Sequence, residues 1–185
     1  TGASPYYIYA PRWSDSSAGI KALHFLCHSL NSHGYDAFIF SSEPASRTTS
    51  RVNGRLNTPL VTKEILKSHQ AAGRRPIVVY PETVHGNPLK AERTVRLLLN
   101  YVGVLDGPAS FDPKEQIWAY SKSIADDFQE KFDTPVAGVI FIPAVNPHEF
   151  SITHKKQSFQ LVYAGKYRDF VGEPPKVGDL ESIEI

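Results

Sequence analysis

Strand-like apolar runs alternate with stretches of helical period along residues 6–142. The strand-like runs are rich in aromatic and β-branched residues and cover residues 6–9, 35–40, 76–80, 117–120 and 138–142. Repeated strand–helix alternation is typical of a parallel sheet with helices on both faces, and right-handed crossovers favour a doubly wound order. The predicted fold class is therefore α/β, with a doubly wound, mostly parallel, Rossmann-like sheet.

The first two predicted helices have recognisable ends. The first begins at Ala18 and stops before Gly34, at the place where a glycine commonly follows a helix. The second is expected to begin at Pro59, with Thr58 as its N-cap, and to end at Gly73.

Two more helices are predicted from their apolar stripes. The third covers residues 89–102, where Val95, Leu98, Leu99 and Val102 recur at helical spacing. The fourth begins after Ser121 or Ser123, either of which is a suitable N-cap.

Composition narrows the class of protein. The 185 residues include 20 Lys and Arg against 19 Asp and Glu, so the net charge of +1 gives no surplus for nucleic-acid binding. The single cysteine excludes an internal disulfide and a Cys-rich zinc module. No apolar run is long enough for a transmembrane helix or a signal peptide. These features predict a cytoplasmic protein.

The residues after the last predicted strand of the sheet differ in character. Residues 151–158 are polar and are expected to form a linker, whereas 159–165 form an apolar run that ends in a glycine. The expected organisation is a Rossmann-like domain over 1–150, a linker, and the start of a truncated second domain over 159–185.

Ligands of open α/β sheets bind beyond the carboxyl ends of the strands. The loop after the first strand contains Ser16, Ser17 and Gly19 and leads into a helix, but it lacks dinucleotide and P-loop fingerprints. Free amides at a helix start can bind phosphate or carboxylate. The alternative is that these serines only cap the helix.

The loop after the third strand holds Glu82 and His85. Either side chain can orient a sugar hydroxyl or act as a general base, so both are candidate catalytic residues. The alternative is that Glu82 caps a backbone amide and His85 is an ordinary loop residue.

Two further sets of residues are candidate binding sites. Arg47, Arg51 and Arg55 lie in a long polar stretch and are suited to capture phosphate or carboxylate, although a solvated loop explains them too. His24 and His28 are one helical turn apart beside Cys27, but a closed zinc site needs four ligands, so no metal is expected.

Several segments, taken together, resemble the GT-B glycosyltransferases of the glycosyltransferase 4-like family. The resembling segments follow the order of that family and include a serine–glycine loop before a helix at 15–19, SHGYDA at 32–37, AYSKS at 119–123, IPAVNPHEF at 142–150 and LVYAGK at 161–166. The resemblance covers essentially the whole chain and is strongest to enzymes of bacterial surface-polysaccharide synthesis, including O-antigen assembly.

The resemblance implies an acceptor-binding N-terminal domain with a nucleotide-sugar as donor substrate and no other cofactor. It implies transfer of a sugar to a glycan or lipid-linked acceptor, and peripheral association with the inner face of the membrane. Ser16, Ser17, Gly19 and the three arginines would bind acceptor or phosphate, while Lys166 and Arg168 would lie on the donor side. Because most donor contacts belong to the second domain, the fragment alone is expected to be inactive.

Two other classes stay open. One is a nucleotide-binding Rossmann oxidoreductase, which the missing glycine fingerprint counts against. The other is a non-catalytic carbohydrate-binding domain, which needs the same binding edge but no general base.

Overall fold

The computed structural model describes residues 3–43, 52–142, 159–162 and 181–184. The chain divides into two compact units, Thr1–Val145 and Asn146–Ile185. The elements of the first unit are, in chain order, β1 Tyr6–Ala10, α1 Ala18–Ser32, β2 Ala37–Ser41, α2 Lys63–Ala71, β3 Ile77–Pro81, β4 Arg93–Leu98, β5 Gln116–Ala119, α3 Lys122–Phe132 and β6 Gly138–Val139. In the second unit, β7 Phe159–Val162 pairs parallel with β8 Glu181–Glu184.

The first unit is built on one six-stranded sheet in the order β2-β1-β3-β4-β5-β6. Every neighbouring pair is parallel, so all carboxyl ends lie along one edge. The order turns back at β1, which has β2 on one side and β3 on the other. The predicted α/β class with a parallel Rossmann-like sheet is confirmed.

Strand alternation gives the sheet two covered faces. On the face called here the α1 face, Ile8, Ala10, Val79 and Leu97 are buried with Leu23 and Cys27 of α1. On the opposite α3 face, Leu98 and Ile117 pack against Phe128 of α3. His69 of α2 lies against Tyr7, which is also on the α3 face. The helices therefore lie on both sides of the sheet, as the sequence predicts.

The predicted limits of α1 and the predicted start of α3 are confirmed by the caps. Ser17 Oγ accepts the amide of Ile20 at the start of α1, and Ser121 Oγ accepts the amide of Ile124 at the start of α3. Beyond α1, Gly34 has φ +83°, a left-handed conformation that favours glycine.

The predicted start of the second helix is wrong by one turn. Helix α2 begins at Lys63, and the Thr62 hydroxyl accepts the amide of Ile65, so Thr62 and not Thr58 is the N-cap. Pro59 and Leu60 instead extend the sheet: the amide of Ile39 donates to the Pro59 carbonyl, and Leu60 forms a parallel bridge with Ile39. Pairing with β2 overrides the preference of proline for a helix start.

The predicted helix over 89–102 is also wrong, because β4, Arg93–Leu98, lies within this segment. β4 pairs along its length with β3, and Val95 and Leu97 face the α1 side while Thr94, Arg96 and Leu98 face the other. The same apolar residues satisfy a helical spacing and a strand alternation. The buried Arg96 hides the alternation, since an arginine at that position reads as a solvent-facing side chain.

The fifth predicted strand, over 138–142, is shorter than expected. β6 contains only Gly138 and Val139, although the Ile140 amide still donates to the Ala119 carbonyl and Ile142 is buried. Residues 159–162 of the predicted strand over 159–165 form β7, and residues 163–165 and the predicted linker over 151–158 lie outside the described residues. No helix among the described residues is long and apolar enough to span a bilayer.

Candidate functional site

The carboxyl edge of the sheet brings three loops of the first unit together. They follow β1, β3 and β4 and comprise residues 11–17, 82–92 and 99–115. Gly19 in the first turn of α1 faces the Leu99 side chain, with 3.8 Å between the Leu99 Cδ1 and a Cβ built on the glycine. Leu99 follows β4, so the start of α1 is adjacent to the β4–β5 connection.

The loop after β1 is held by its own polar side chains. Ser17 caps α1, Ser14 and Ser16 share a hydrogen bond of 3.0 Å, and the Trp13 indole donates to Asp15. Ser16 and Ser17 thus lie at the start of α1, where the sequence predicts an anion-binding turn. Capping is the interaction that the structure itself provides for Ser17.

The three candidate metal ligands of α1 make separate contacts. His24 is fully buried with Nε2 3.1 Å from the Pro11 carbonyl, and burial lowers its pKa, so the ring is neutral. Burial raises the pKa of Cys27 to about 12. His28 Nδ1 accepts the amide of Asn57. Among the described residues there is no cluster of three His, Cys, Asp or Glu side chains that could hold a metal ion.

Glu82 is the first residue after β3, and only 3% of it is exposed. Its Oε2 accepts the amide of Leu99, at 2.9 Å, so the carboxylate joins the ends of β3 and β4. This contact is the one expected if Glu82 caps a backbone amide. A catalytic role for Glu82 stays a prediction.

His85 is paired with a carboxylate that the sequence did not single out. Its Nε2 lies 3.0 Å from Asp106 Oδ1, and about six tenths of each side chain is exposed, 60% and 63%. Asp106 Oδ1 also accepts the amide of Gly107. The hydrogen bond from His85, followed by that of Gly107, holds the pKa of Asp106 below its ordinary value, so Asp106 is an anion.

The loop between β3 and β4 contains no helix and is held by side-chain hydrogen bonds. The Tyr80 hydroxyl donates to Asn87 Oδ1 and accepts the amide of Leu89. Burial raises the pKa of Tyr80, which keeps that hydroxyl protonated. Asn87 in turn bonds both the amide and the carbonyl of Ala91. The loop covers the sheet where a crossover helix is expected.

A buried ion pair lies beneath this loop. The side chains of Arg96 and Glu115 are 1% and 3% exposed, and two hydrogen bonds join them. The remaining donors of Arg96 reach the carbonyl of Pro81 at the end of β3 and those of Val84 and Gly86 in the loop that carries His85. The site therefore consists of an exposed imidazole–carboxylate pair above a buried arginine–glutamate pair.

The comparisons with known proteins found no matching family model, no matching curated protein and no matching solved structure.

The structure collects some of the predicted site residues and leaves others apart. Ser16, Ser17, Gly19, Glu82 and His85 all lie in the loops or first turn at the carboxyl edge. Arg55 is exposed, and the neighbouring Asn57 is bonded to His28 and Asn31 in the second half of α1, away from that edge. Four predicted binding residues lie outside the described residues: Arg47, Arg51, Lys166 and Arg168.

Three residues of the site were missed by reasoning from sequence, namely Asp106, Arg96 and Glu115. Asp106 precedes a glycine and is typical of a turn, and nothing in the sequence pairs it with His85. Arg96 carries a weak signal, since it interrupts an apolar run at Val95, Leu97 and Leu98. A charge inside such a run indicates a buried partner of opposite sign once the run is assigned to a strand.

Proposed function

We propose that the chain carries the acceptor-binding side of a GT-B-like glycosyltransferase, with His85 as its general base. The reaction is transfer of a sugar from a nucleotide-sugar to a hydroxyl of a glycan or lipid-linked acceptor. The observation that carries the proposal is the exposed His85–Asp106 pair at the carboxyl edge of a parallel sheet, where ligands of such sheets bind. The ordered motifs that resemble that family support the choice of substrates.

The proposed chemistry follows from the orientation of the pair. When the protonated Nε2 of His85 donates to Asp106, the lone pair is on Nδ1, which can accept the proton of an acceptor hydroxyl. The hydroxyl oxygen forms a bond to the anomeric carbon of the donor, and the bond from that carbon to the diphosphate oxygen breaks. The nucleoside diphosphate leaves with the electron pair. Asp106 stabilises the imidazolium that results.

Other residues of the edge take supporting roles in this proposal. Glu82 joins the ends of β3 and β4 through the Leu99 amide. It thereby holds together the starts of the two loops that carry the His85–Asp106 pair, called here the dyad. Ser16, Ser17 and Gly19 lie at the start of α1 on the same carboxyl edge, where the amides of a helix start favour an anionic group of the acceptor. Donor contacts are expected outside these loops.

The catalytic step is tested by nucleoside-diphosphate release from mixtures of nucleotide-sugar and acceptor, measured with the complete natural protein. We expect His85→Ala to lower kcat by about 10²- to 10⁴-fold, because a positioned general base contributes that much. Asp106→Asn should also lower kcat, since the imidazolium of His85 loses its anionic partner. The matched control is His33→Ala, which removes an exposed histidine at the other end of α1. Unchanged kcat in His85→Ala would contradict the assigned role.

Two binding measurements separate the alternatives. Calorimetric titration with NAD or NADP that gave micromolar binding would favour an oxidoreductase. Sugar binding with no transfer in the complete protein, unaffected by His85→Ala, would favour a non-catalytic carbohydrate-binding domain.

A further inference from the structure

Arg96 is a buried cation in the centre of β4, and all five of its N–H donors have partners. Nε and Nη2 donate to the two carboxylate oxygens of Glu115, at 3.1 and 2.7 Å. Nη1 donates to the carbonyls of Pro81 and Val84, and Nη2 also donates to the carbonyl of Gly86.

The guanidinium is also enclosed by aromatic rings. Its Cζ lies 5.3 Å from the ring centre of Tyr80 and 5.8 Å from that of Phe111. A planar fork with five donors suits this surrounding, whereas a lysine has three donors around a single point.

The carbonyls that Arg96 binds are placed on both sides of His85. Val84 precedes His85 and Gly86 follows it, so Arg96 binds the peptide group before His85 and the one after Gly86, at 2.5 and 2.8 Å. Gly86 has φ +62°, a conformation that a glycine adopts without strain. The backbone before and after His85 is thereby bonded to Arg96.

Glu115 connects the same arginine to the other half of the dyad. Glu115 and Asp106 both belong to the connection between β4 and β5, residues 99–115. The Arg96–Glu115 pair therefore ties the loop of His85 to the connection that carries Asp106. A buried ion pair costs much of its attraction in desolvation, so a pair of apolar side chains would serve packing equally well.

We propose that Arg96, oriented by Glu115, is the positioning residue of the candidate site and holds His85 opposite Asp106. The catalytic meaning of this role rests on the proposed function. The positioning itself does not, because it is measured on the dyad without substrate.

The readout is the pKa of the Asp106 carboxyl, followed by carboxyl-carbon NMR titration of the 185-residue chain. His85→Ala gives the reference, since loss of the imidazole should raise the Asp106 pKa toward its ordinary value. Arg96→Lys keeps the charge but loses the fork, and we expect it to raise the Asp106 pKa in the same direction. The double variant Arg96→Met with Glu115→Met removes both charges, so neither is left buried alone, and we expect the same rise.

The matched control is Arg75→Met. Arg75 also pairs with an acid, Glu92, the last residue of the loop that carries His85, but both side chains are exposed. We expect no change in the Asp106 pKa in this variant. A rise in Arg75→Met equal to that in the Arg96 variants would show that Arg96 has no special role.

A folded Arg96 variant with the wild-type Asp106 pKa and wild-type amide shifts at 84–86 would overturn the proposal. A measurement on the wild type needs no variant. The guanidinium protons of Arg96 should exchange slowly with water and show couplings to the carbonyl carbons of Val84 and Gly86. Fast exchange without those couplings would also overturn it. A failure of sugar transfer with the expected pKa changes would contradict only the proposed function.

Discussion

The side chain of Arg96 joins β4 to Glu115 and to the loop that carries His85. It lies on the α3 face of the sheet with Glu115 as its ion-pair partner, and both are nearly inaccessible to solvent. Removal of one member leaves the other charge buried without a partner, which is the costly case for an ion pair.

Arg96→Met should therefore lower the free energy of unfolding by about 3–5 kcal/mol, as expected for breaking a buried pair. The carbonyls of Val84 and Gly86 lose their donors in the same variant. The double Met variant should recover about half or more of that loss, because no lone charge remains. Urea unfolding followed by circular dichroism measures both. A loss of under about 1 kcal/mol in Arg96→Met, the range of an exposed pair, would mean that the pair is solvated.

Two buried histidines make the stability depend on pH. Burial is the main cause that lowers the pKa of His24 and of His69, and the nearby Arg74 lowers that of His69 further, while Asp36 opposes it. Tyr7 faces His69, with its hydroxyl 2.6 Å from Nδ1. Since the folded pKa lies below the unfolded value of 6.5, the unfolded chain binds more protons.

The free energy of unfolding should thus be constant above about pH 7.5 and decrease as the pH falls below about 6.5. His69→Gln keeps a hydrogen-bond acceptor near Tyr7, but the glutamine does not titrate. The free energy of unfolding of this variant should therefore decrease less on acidification than that of the wild type. His33→Gln, at an exposed position, should follow the wild type. Urea unfolding at several pH values tests this, and a stability that rises on acidification would contradict it.

At the level of elements, the caps of the helices could be predicted better than the position of the second helix. Ser17 and Ser121 cap α1 and α3 as their residue types predict, because local hydrogen bonds decide these ends. Thr58 and Pro59 form an equally good local signal. Pairing of Leu60 with Ile39, a contact distant in sequence, overrides it.

Thr62→Ala should lower the free energy of unfolding by about 1 kcal/mol and speed amide exchange in the first turn of α2, because it removes the cap. Thr58→Val is the matched comparison. The Thr58 hydroxyl is buried with no hydrogen-bond partner among the described residues, so its replacement should be neutral or stabilising. A larger loss of unfolding free energy in Thr58→Val than in Thr62→Ala would indicate that Thr58, and not Thr62, is the N-cap.

β4 shows why other parts of the site could not be read from the sequence. Val95, Leu98, Leu99 and Val102 fit a helix, and only pairing with β3 and β5 selects the strand. The predicted helix over 89–102 also prevents prediction of the site. A helix there would separate Arg96 from Glu115, and the loop of His85 from Asp106. The position of Glu82 and His85 after β3 was predictable because β3 is a clear apolar strand. Their partners depend on tertiary contacts.

At the scale of the first unit, the parallel sheet explains why one edge gathers the candidate residues. All six strands run in the same direction, so the loops of Ser17, His85 and Asp106 meet at their carboxyl ends. Charged and aromatic side chains inside the α3 face support that edge from below. The role proposed for this edge is the binding of a sugar acceptor next to His85.

The most direct measurement is an NMR titration of the 185-residue chain with glycan and lipid-linked acceptors, and separately with NAD. We expect acceptor to shift the amides of residues 16–19, 84–86 and 106–107, while amides near Gly34 and Gly73, at the opposite edge, stay unchanged. Shifts confined to that opposite edge, or shifts at 84–86 with NAD and none with any acceptor, would contradict an acceptor site at His85.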